Sequence, residues 1–275
     1  MRTILITGGA SGLGRGVAFH YLAKGDRVIA VGNSVMNGAA FISDVKQIGA
    51  EERAVFIPAD LSLVKENKQV IEKIDDSFTA IDALIFCASR HCKDYSETAE
   101  GFEFSFALDY LSRFVLSYGL KKCLEKAERP VIMNICGAGM KGNVNWDDLQ
   151  HKSDFDPMSV MMHGSRLNEL SATSFVHSDG IGKIKYILYN PMAVKTPGMM
   201  EFANTSMKLY YKLAAKPVEK AVIQIAALLD NPPEAAITAY TEQKKTSLNL
   251  PNYNKENANK LYEITVKLLD NAASA

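Results

Sequence analysis

The stretch "TGGASGLG" at residues 7–14 decides the fold. It follows an apolar run at 2–7 that predicts a strand, and it opens an amphipathic stretch at 12–24 that predicts a helix. Glycines in such a turn let the backbone bend tightly and approach a phosphate, while the free N–H groups of the helix start favour negative charge. The position of the turn therefore predicts a nucleotide-binding site. The alternative is that the glycines only shape the turn.

Short strand-like segments alternate with longer amphipathic segments along the chain. We predict strands at 2–7, 27–32, 53–58, 81–87, 130–136, 183–189 and, more weakly, 236–240, and helices at 12–24, 36–48, 63–77, 102–127, 158–177 and 217–230. Several of these strands are apolar almost throughout, as expected where helices cover both faces of a parallel sheet. The pattern predicts a single α/β domain over 1–275, a Rossmann-type doubly wound parallel sheet flanked by helices.

The chain divides into three parts in this interpretation. We predict a cofactor-binding half at 1–135, a substrate half at 136–240 and a C-terminal extension at 241–275. The polar segment 241–258 has no clear place in the sheet and is predicted to wrap around the surface. The segments 138–157 and 192–216 are expected to line the substrate pocket.

The composition excludes several classes of partner. The 31 basic and 31 acidic residues leave no net charge, so we expect no nucleic-acid partner. No apolar run is long enough to cross a bilayer and the strand at 2–7 leaves no signal peptide before it, so we expect no membrane association. The four cysteines lack the spacing of metal ligands, and free thiols suit a reducing compartment. We therefore expect no metal site and a cytoplasmic location.

Four motifs carry a resemblance to a known family. The glycine turn fits the pattern T-G-x-x-x-G-x-G, "ADLS" at 59–62 fits an aspartate that meets the adenine, and "NPMAVKT" at 190–196 fits a P-G-x-V-x-T segment. The segment 129–149, "RPVIMNICGAGMKGNVNWDDL", is similar to the retinol-dehydrogenase-like branch. Over about residues 2–200 the chain resembles the short-chain dehydrogenase/reductase (SDR) family, whose members are Rossmann-fold oxidoreductases.

The resemblance implies that a nicotinamide dinucleotide is the cofactor. The residues implied to bind it are Thr7, Gly8, Ser11, Gly12, Leu13, Gly14, Asn33, Asp60, Leu61, Ala88, Arg166, Pro191 and Thr196. After the second strand, where an acid would grip a ribose 2′-hydroxyl, the chain has "GNS" at 32–34, which favours NADP over NAD. Arg15, Ser11, Asn33 and Ser34 are available to surround a 2′-phosphate, although Arg15 is equally explained as a solvated helix residue.

The catalytic positions implied by the resemblance are all substituted. Family members donate a proton to the substrate carbonyl from a tyrosine, which a lysine, a serine and an asparagine support. In "MMHGSRLNEL" at 161–170 and the preceding segments, these positions fall on Met162, Arg166, Gly137 and Asp109. Met162 has no proton to give, whereas Arg166 keeps a positive charge that suits ribose hydroxyls. The resemblance therefore implies a degenerate active site.

Nearby side chains are candidate substitutes for the missing proton donor. His163 adjoins the tyrosine position, but on a helix it should point about 100° away from it, and packing at a helix interface is the alternative. Tyr110, His91 and Cys92 are expected within reach of a substrate cleft. Cys136 is better explained as a core residue, and His151, Asp147 and Asp148 are better explained as surface groups.

Three functions are left open by these observations. The favoured one is an NAD(P)-binding protein without the acid–base groups, which senses cofactor, binds a partner or catalyses a non-redox step in a cleft lined by Met140, Met161 and Met162. The second is an NADP-dependent oxidoreductase with an unusual proton donor, acting on a small carbonyl or an activated alkene. The third is a structural partner subunit. The helices at 102–127 and 158–177 have apolar faces of the kind that pair in family members, which predicts a homodimer or homotetramer.

Overall fold

The computed structural model describes residues 1–178, 182–196, 214–250 and 253–274, together with residues 198, 208 and 212. The strands are β1 (Thr3–Thr7), β2 (Arg27–Gly32), β3 (Ala54–Pro58), β4 (Ala83–Phe86), β5 (Val131–Ile135), β6 (Lys185–Asn190), β7 (Ile237–Thr241) and β8 (Lys244–Thr246). The helices are α1 (Gly12–Ala23), α2 (Val35–Gln47), α3 (Val64–Ser77), α4 (Phe104–Phe106), α5 (Ser112–Gly119), α6 (Lys121–Glu125), α7 (Pro157–His177), α8 (Val218–Asp230) and α9 (Lys255–Ser274). All seven predicted strands are confirmed.

The strands form one sheet in the order β3-β2-β1-β4-β5-β6-β7-β8. Neighbouring strands are parallel except for β8, which is antiparallel to β7. The strand order reverses at β1, which pairs with β2 on one side and β4 on the other. A crevice opens at the carboxyl ends of the strands where such a reversal occurs. The predicted single-domain Rossmann-type fold is confirmed.

Alternate residues of the strands are buried on opposite faces of the sheet. Leu5 belongs to a core cluster with side chains of α3, α6 and α7, whereas Ile4 and Ile6 belong to a second cluster with side chains of α1, α2 and α8. Because both faces are covered by helices, the strands are apolar throughout. None of the helices in the described ranges is long and apolar enough to cross a membrane.

The helix predicted at 102–127 is confirmed as four consecutive helical pieces: α4, a π-helical turn at Ala107–Leu111, α5 and α6. Glu103 caps the start, since its carboxylate accepts hydrogen bonds from the N–H groups of Ser105 (2.9 Å) and Phe106 (2.6 Å). A π turn widens the helix locally and is frequent at functional sites. Here it contains Asp109, one of the predicted site residues.

The extension at 241–275 holds two elements that the sequence analysis did not predict, β8 and α9. Helix α9 presents Ala258, Leu261 and Ile264 at helical spacing, and these pack with Phe106 and Leu167 in a third apolar cluster. Lysine, asparagine and glutamate residues separate these apolar residues along the sequence and obscure the helical pattern. Helix α9 therefore covers apolar surface of the two segments that were predicted to form a subunit interface.

Candidate active site

A cavity of about 1420 Å³, which we call the cleft, lies at the carboxyl ends of the strands. Its wall includes the turn after β1, the ends of β2 and β4, and the segment after β6. Of the predicted cofactor-binding residues, ten lie in this wall: Gly8, Ser11, Gly12, Leu13, Asn33, Asp60, Leu61, Ala88, Pro191 and Thr196. The sheet thus brings together residues that are up to 188 positions apart in the sequence.

The glycine turn has the geometry of a phosphate cradle. Gly8 and Gly12 have φ values of +67° and +52°, which residues with a side chain rarely adopt. A Cβ on Gly14 would lie 2.4 Å from the carbonyl oxygen of Gly8, so α1 can approach β1 this closely only with glycine there. The hydroxyl of Thr7 accepts a hydrogen bond from the N–H of Ala88 (3.2 Å) and ties the turn to β4. Thr7 and Gly14 therefore shape the cradle from behind the wall.

The cleft wall around the end of β2 is polar but uncharged. Gly32, Asn33, Ser34 and Asn37 contribute to it, and Ser34 caps α2 by accepting a hydrogen bond from the N–H of Asn37 (3.2 Å). Arg15 forms an ion pair with Asp44 and stacks on Phe19, with 4.5 Å between the guanidinium and the ring centroid. Of the two explanations for Arg15, the structure favours a surface role outside the cleft wall.

Helix α7 turns a different face to the cleft than the resemblance implied. Met161, Ser165 and Asn168 lie in the cleft wall, whereas Met162 and Arg166 do not. Residues four apart share a helix face and adjacent residues do not, so an error of one position exchanges the faces. The amide of Asn168 donates to the carbonyl oxygen of Asp109 (2.8 Å), which fixes the helix in this orientation. Met162 and Arg166, to which the resemblance assigned the tyrosine and lysine positions, therefore lie outside the cleft wall.

Arg166 is a buried structural residue. Its side chain is 1% exposed, and its Nη2 donates to Glu169 Oε1 (2.8 Å) and to the carbonyl oxygen of Gly137 (3.0 Å). Glu169 is also buried and accepts from the N–H of Gly139 (2.8 Å) and the hydroxyl of Tyr253 (3.3 Å). This network joins α7 to the segment after β5 and to the start of α9. Arg166 is thus unable to bind a ribose in the cleft, contrary to the prediction.

Gly137 lies in the cleft wall as predicted, opposite Ser165. A Cβ on Gly137 would be 2.6 Å from Ser165 Oγ and 2.7 Å from Met140 Sδ. The Ser165 hydroxyl accepts from the N–H of Gly137 (3.2 Å) and donates to the carbonyl oxygen of Met161 (3.1 Å). The space that a side chain at 137 would need is therefore filled by Ser165 and Met140.

Asp109 also lies in the cleft wall, beside a buried arginine that the sequence analysis missed. The Arg113 guanidinium is 3.7 Å from Asp109 Oδ1 and donates to the carbonyl oxygens of Ile135 (2.9 Å) and Ala88 (3.1 Å) and to Asn134 Oδ1. Burial raises the pKa of Asp109 above its ordinary value, although Arg113 and His91 oppose this effect. A lone arginine four residues after an aspartate, in an otherwise apolar helix, was the available signal.

His163 is 5% exposed and lies in the cleft wall together with His151. The two rings are in edge-to-face contact, with 4.8 Å between their centroids. Burial lowers the pKa of His163 to about 4, and charge on His151 acts in the same direction. His163 is therefore a neutral imidazole near pH 7.

The remaining candidates differ in their access to the cleft. Cys136 lies in the cleft wall and is half-buried, and burial raises the pKa of its thiol to about 12. The hydroxyl of Tyr110 is bonded to Thr265 Oγ1 on α9 (2.6 Å), away from the cleft wall. His91 and Cys92 do contribute to the wall.

Comparison with known proteins decides the family. The sequence model of the short chain dehydrogenase family matches residues 2–147, more than half of the chain. The chain belongs to this family. Its SDR relatives include oxidoreductase AN1596 from Emericella nidulans, 27% identical over 64% of this chain and 56% of that protein. Human polyprenol dehydrogenase is 27% identical over 57% of this chain and 49% of that protein. Mouse retinol dehydrogenase 12 is 25% identical over 62% of this chain and 54% of that protein.

The SDR chain spans about half the length of these curated relatives. Solved SDR structures share its fold over most of its length. A short-chain dehydrogenase from Sphingobium yanoikuyae in complex with NADPH has a TM-score of 0.66 and 16% identity, with 87% of each chain covered. A short chain dehydrogenase from Burkholderia cenocepacia J2315 in complex with NADP has a TM-score of 0.67 and 15% identity, with 87% of this chain and 95% of that chain covered.

Proposed function

We propose that this SDR protein binds a nicotinamide dinucleotide in the cleft without carrying out the tyrosine-dependent carbonyl reduction of its family, so that its role is non-redox or cofactor-sensing. One observation carries the proposal. Two of the α7 residues in the cleft wall, Met161 and Ser165, are one helical turn apart, and Gly137 lies beside Ser165. A thioether has no proton, and the hydroxyl proton of Ser165 is already donated to a backbone carbonyl. No side chain at these positions can protonate an alkoxide formed by hydride transfer.

The cradle after β1 supports nucleotide binding. Its two left-handed glycines and the close approach of α1 leave room for a pyrophosphate against the helix start. Asp60 accepts hydrogen bonds from the N–H (3.0 Å) and the hydroxyl (2.7 Å) of Ser62 through Oδ1, which orients its carboxylate at the adenine end of the cleft. Pro191 and Thr196 would border the nicotinamide. We propose NADP over NAD because the wall around β2 carries no acid.

Nucleotide binding is tested by titrating NADPH and NADH while following nucleotide emission and energy transfer from Trp146, the single tryptophan. We expect saturable signals, and Gly12→Val should abolish them because its side chain would enter the cleft at a φ of +52°. Gly25→Val is the matched control, since Gly25 has a φ of +85° with no atom within 4 Å of an added Cβ. Absence of a signal with both nucleotides in the unmodified protein refutes nucleotide binding.

The preference for NADP has its own test. A carboxylate at the end of β2 repels a 2′-phosphate and accepts hydrogen bonds from a free ribose. We therefore expect Asn33→Asp to weaken NADPH binding about tenfold or more, equivalent to roughly 1.4 kcal/mol, and to strengthen NADH binding. Equal effects on both nucleotides would contradict the preference.

We infer further that Met161, Ser165, Gly137 and Asp109 occupy the four catalytic positions of the family. Met161 and Ser165 are four residues apart on the face of α7 that meets the cleft, as a Tyr-x-x-x-Lys pair must be. Replacement of Ser165 by a longer side chain that extends into the cleft would remove one of the two obstacles beside Gly137, and the flexible side chain of Met140 would have to move to remove the other. The losses at 137 and 165 are thus coupled, because a serine at 137 clashes while Ser165 is present.

Restoration of the four groups tests both the register and the degenerate site. We expect Met161→Tyr, Ser165→Lys, Gly137→Ser and Asp109→Asn together to raise NADPH-dependent aldehyde reduction by about 10² or more, the typical contribution of a positioned general acid. The matched control places the same residues one position along the helix, with Met162→Tyr and Arg166→Lys in place of the first two, and should gain nothing. Ordinary aldehyde reduction by the unmodified protein, or a gain only in the control, would overturn the proposal.

A second candidate function rests on His163, which lies in the cleft wall near Met161. An oxidoreductase that uses His163 as proton donor needs its protonated form, but burial holds its pKa at about 4. Little of that form exists near pH 7, which disfavours this function. An NADPH-consumption screen over aldehydes, ketones and enones tests it: turnover that rises as the pH falls towards 5 and is lost in His163→Phe would support it.

A further inference from the structure

An aspartate and an arginine form a charged pair in the wall of the cleft. Asp109 belongs to the π-helical turn, and Arg113, one helical turn further on, belongs to α5. Both residues lie in the cleft wall, with 3.7 Å between Asp109 Oδ1 and the guanidinium. The resemblance implies an asparagine at position 109, so this chain has a carboxylate where the family has an uncharged amide. The substitution therefore adds a negative charge to this part of the wall.

The contacts of the pair place it at the carboxyl ends of β4 and β5. The Arg113 guanidinium donates to the carbonyl oxygens of Ala88, two residues after β4 ends, and of Ile135, the last residue of β5. Asp109 accepts a hydrogen bond from the side chain of Ser89, the next residue after Ala88. Both charges are thus held where these two strands end.

The order of the strands indicates which end of a dinucleotide meets this pair. Asn33 and Asp60, which are implied to bind the adenosine half, follow β2 and β3, and the glycine turn follows β1. Strands β4 and β5 lie on the other side of β1. A dinucleotide binds across the point where the strand order reverses, so its nicotinamide half would lie over the ends of β4 and β5. The charged pair is therefore in the nicotinamide half of the cleft.

The negative member of the pair is the more accessible one. The side chain of Asp109 is 19% exposed and that of Arg113 is 5% exposed. Arg113 also donates to Asn134 Oδ1, so three oxygen atoms of the sheet region hold its guanidinium in the protein. Two further cations of the wall, Arg90 and Lys93, are exposed to solvent, where water and salt screen their charges. A ligand over this part of the wall therefore meets the carboxylate first.

We propose that Asp109 makes the cleft select the oxidised form of the nicotinamide dinucleotide over the reduced form. The inference rests on the proposed nucleotide binding and adds which form the cleft holds. The oxidised ring carries a positive charge that the reduced ring lacks, and a nearby carboxylate attracts this charge strongly where little water intervenes. A cleft with this preference fills as the oxidised cofactor accumulates, which is what a sensor of the cofactor pool requires.

The ionisation of Asp109 is consistent with this role. Burial raises the pKa of Asp109, whereas the positive charge of Arg113 lowers it. A cationic ring beside the carboxylate acts in the same direction as Arg113 and favours the ionised form. Binding of the oxidised ring therefore stabilises the charge that attracts it.

The experiment measures dissociation constants by isothermal titration calorimetry with the 275-residue chain. The ligands are NADP⁺, NADPH and 2′-phospho-ADP-ribose, which lacks the nicotinamide. We expect NADP⁺ to bind more tightly than NADPH. Asp109→Asn keeps the shape of the side chain and removes its charge, so it should shift the ratio of these two constants about tenfold in favour of NADPH. Binding of 2′-phospho-ADP-ribose should stay the same in this variant, which also verifies that the variant is folded.

Asp60→Asn is the matched control, because it removes a carboxylate from the adenine end of the same wall. It should leave the ratio of the NADP⁺ and NADPH constants unchanged, even where it alters both. Equal binding of the two forms, tighter binding of NADPH by the unmodified chain, or a ratio that Asp109→Asn does not shift would overturn this inference and leave nucleotide binding standing. Failure of all three ligands to bind the unmodified chain would overturn nucleotide binding as well.

Discussion

Helix α9 offers a quantitative test of how the fold is completed. Leu261 is 1% exposed and packs in the third apolar cluster with Phe106, Tyr110, Leu167 and Leu170. Leu261→Ala removes three carbon atoms from this contact and leaves a cavity. Such a substitution costs about 3 kcal/mol when the surroundings relax only partly, within a usual range of roughly 2–5 kcal/mol. Because the entropy of unfolding is about 2.1 cal/mol/K per residue, this loss corresponds to a melting temperature roughly 5 °C lower for a chain of this size.

The assay is urea unfolding followed by circular dichroism, with calorimetry for the melting temperature. Glu263→Ala, two residues away on the exposed side of the same helix, is the control and should change stability by less than about 0.5 kcal/mol. Equal, small effects of both substitutions would falsify the claim that α9 is packed onto the domain. A cooperative transition should persist in Leu261→Ala, since the sheet and its two main clusters do not contain this residue.

Three further predictions concern association, the buried ion pair and pH. Because α9 covers the faces expected to pair, the chain of residues 1–275 should have a mass of 30.2 kDa by light scattering. A chain that ends at residue 254 should associate through the uncovered faces, and a dimer of the 275-residue chain would contradict this prediction. Glu169→Leu leaves Arg166 buried without its partner and should lower the free energy of unfolding by roughly 3–5 kcal/mol in urea titrations, while Arg166→Met with Glu169→Leu should recover most of it. Burial depresses the pKa of His163 to about 4, so the unfolded chain takes up a proton at a higher pH than the folded protein does. The free energy of unfolding should therefore fall as the pH drops from about 6.5 towards 4, by at most roughly 3 kcal/mol. The variant His163→Phe should show a shallower pH dependence of this free energy over the same range.

The order of the strands along the chain and the cofactor turn could be predicted because they depend on local features. Alternation of apolar and amphipathic segments predicts each strand, and the left-handed positions of Gly8 and Gly12 need a residue without a side chain. These preferences act over a few residues, so they can be recognised in the sequence alone.

The orientation of α7 could not be predicted in the same way. The resemblance implied Met162 and Arg166, but contacts with other segments hold the helix in a different rotation: the Asn168 amide donates to the carbonyl oxygen of Asp109, and the Arg166 guanidinium donates to the carbonyl oxygen of Gly137. The Asn168–Asp109 contact joins residues 59 positions apart. A shift of one residue along the helix changes the face that meets the cleft by about 100°.

The sequence by itself determined the α/β class, the seven strands predicted for the sheet, the cradle after β1 and the absence of a tyrosine–lysine pair at 162 and 166. Only the tertiary structure decided that Met161 and Ser165 meet the cleft, that His151 joins His163, and that α9 covers the outer helices. The physical reason is the distance along the chain over which the deciding interactions act. Backbone conformation is set mainly by neighbours along the chain, whereas the face that a helix turns inward is set by side chains that folding brings together from distant positions.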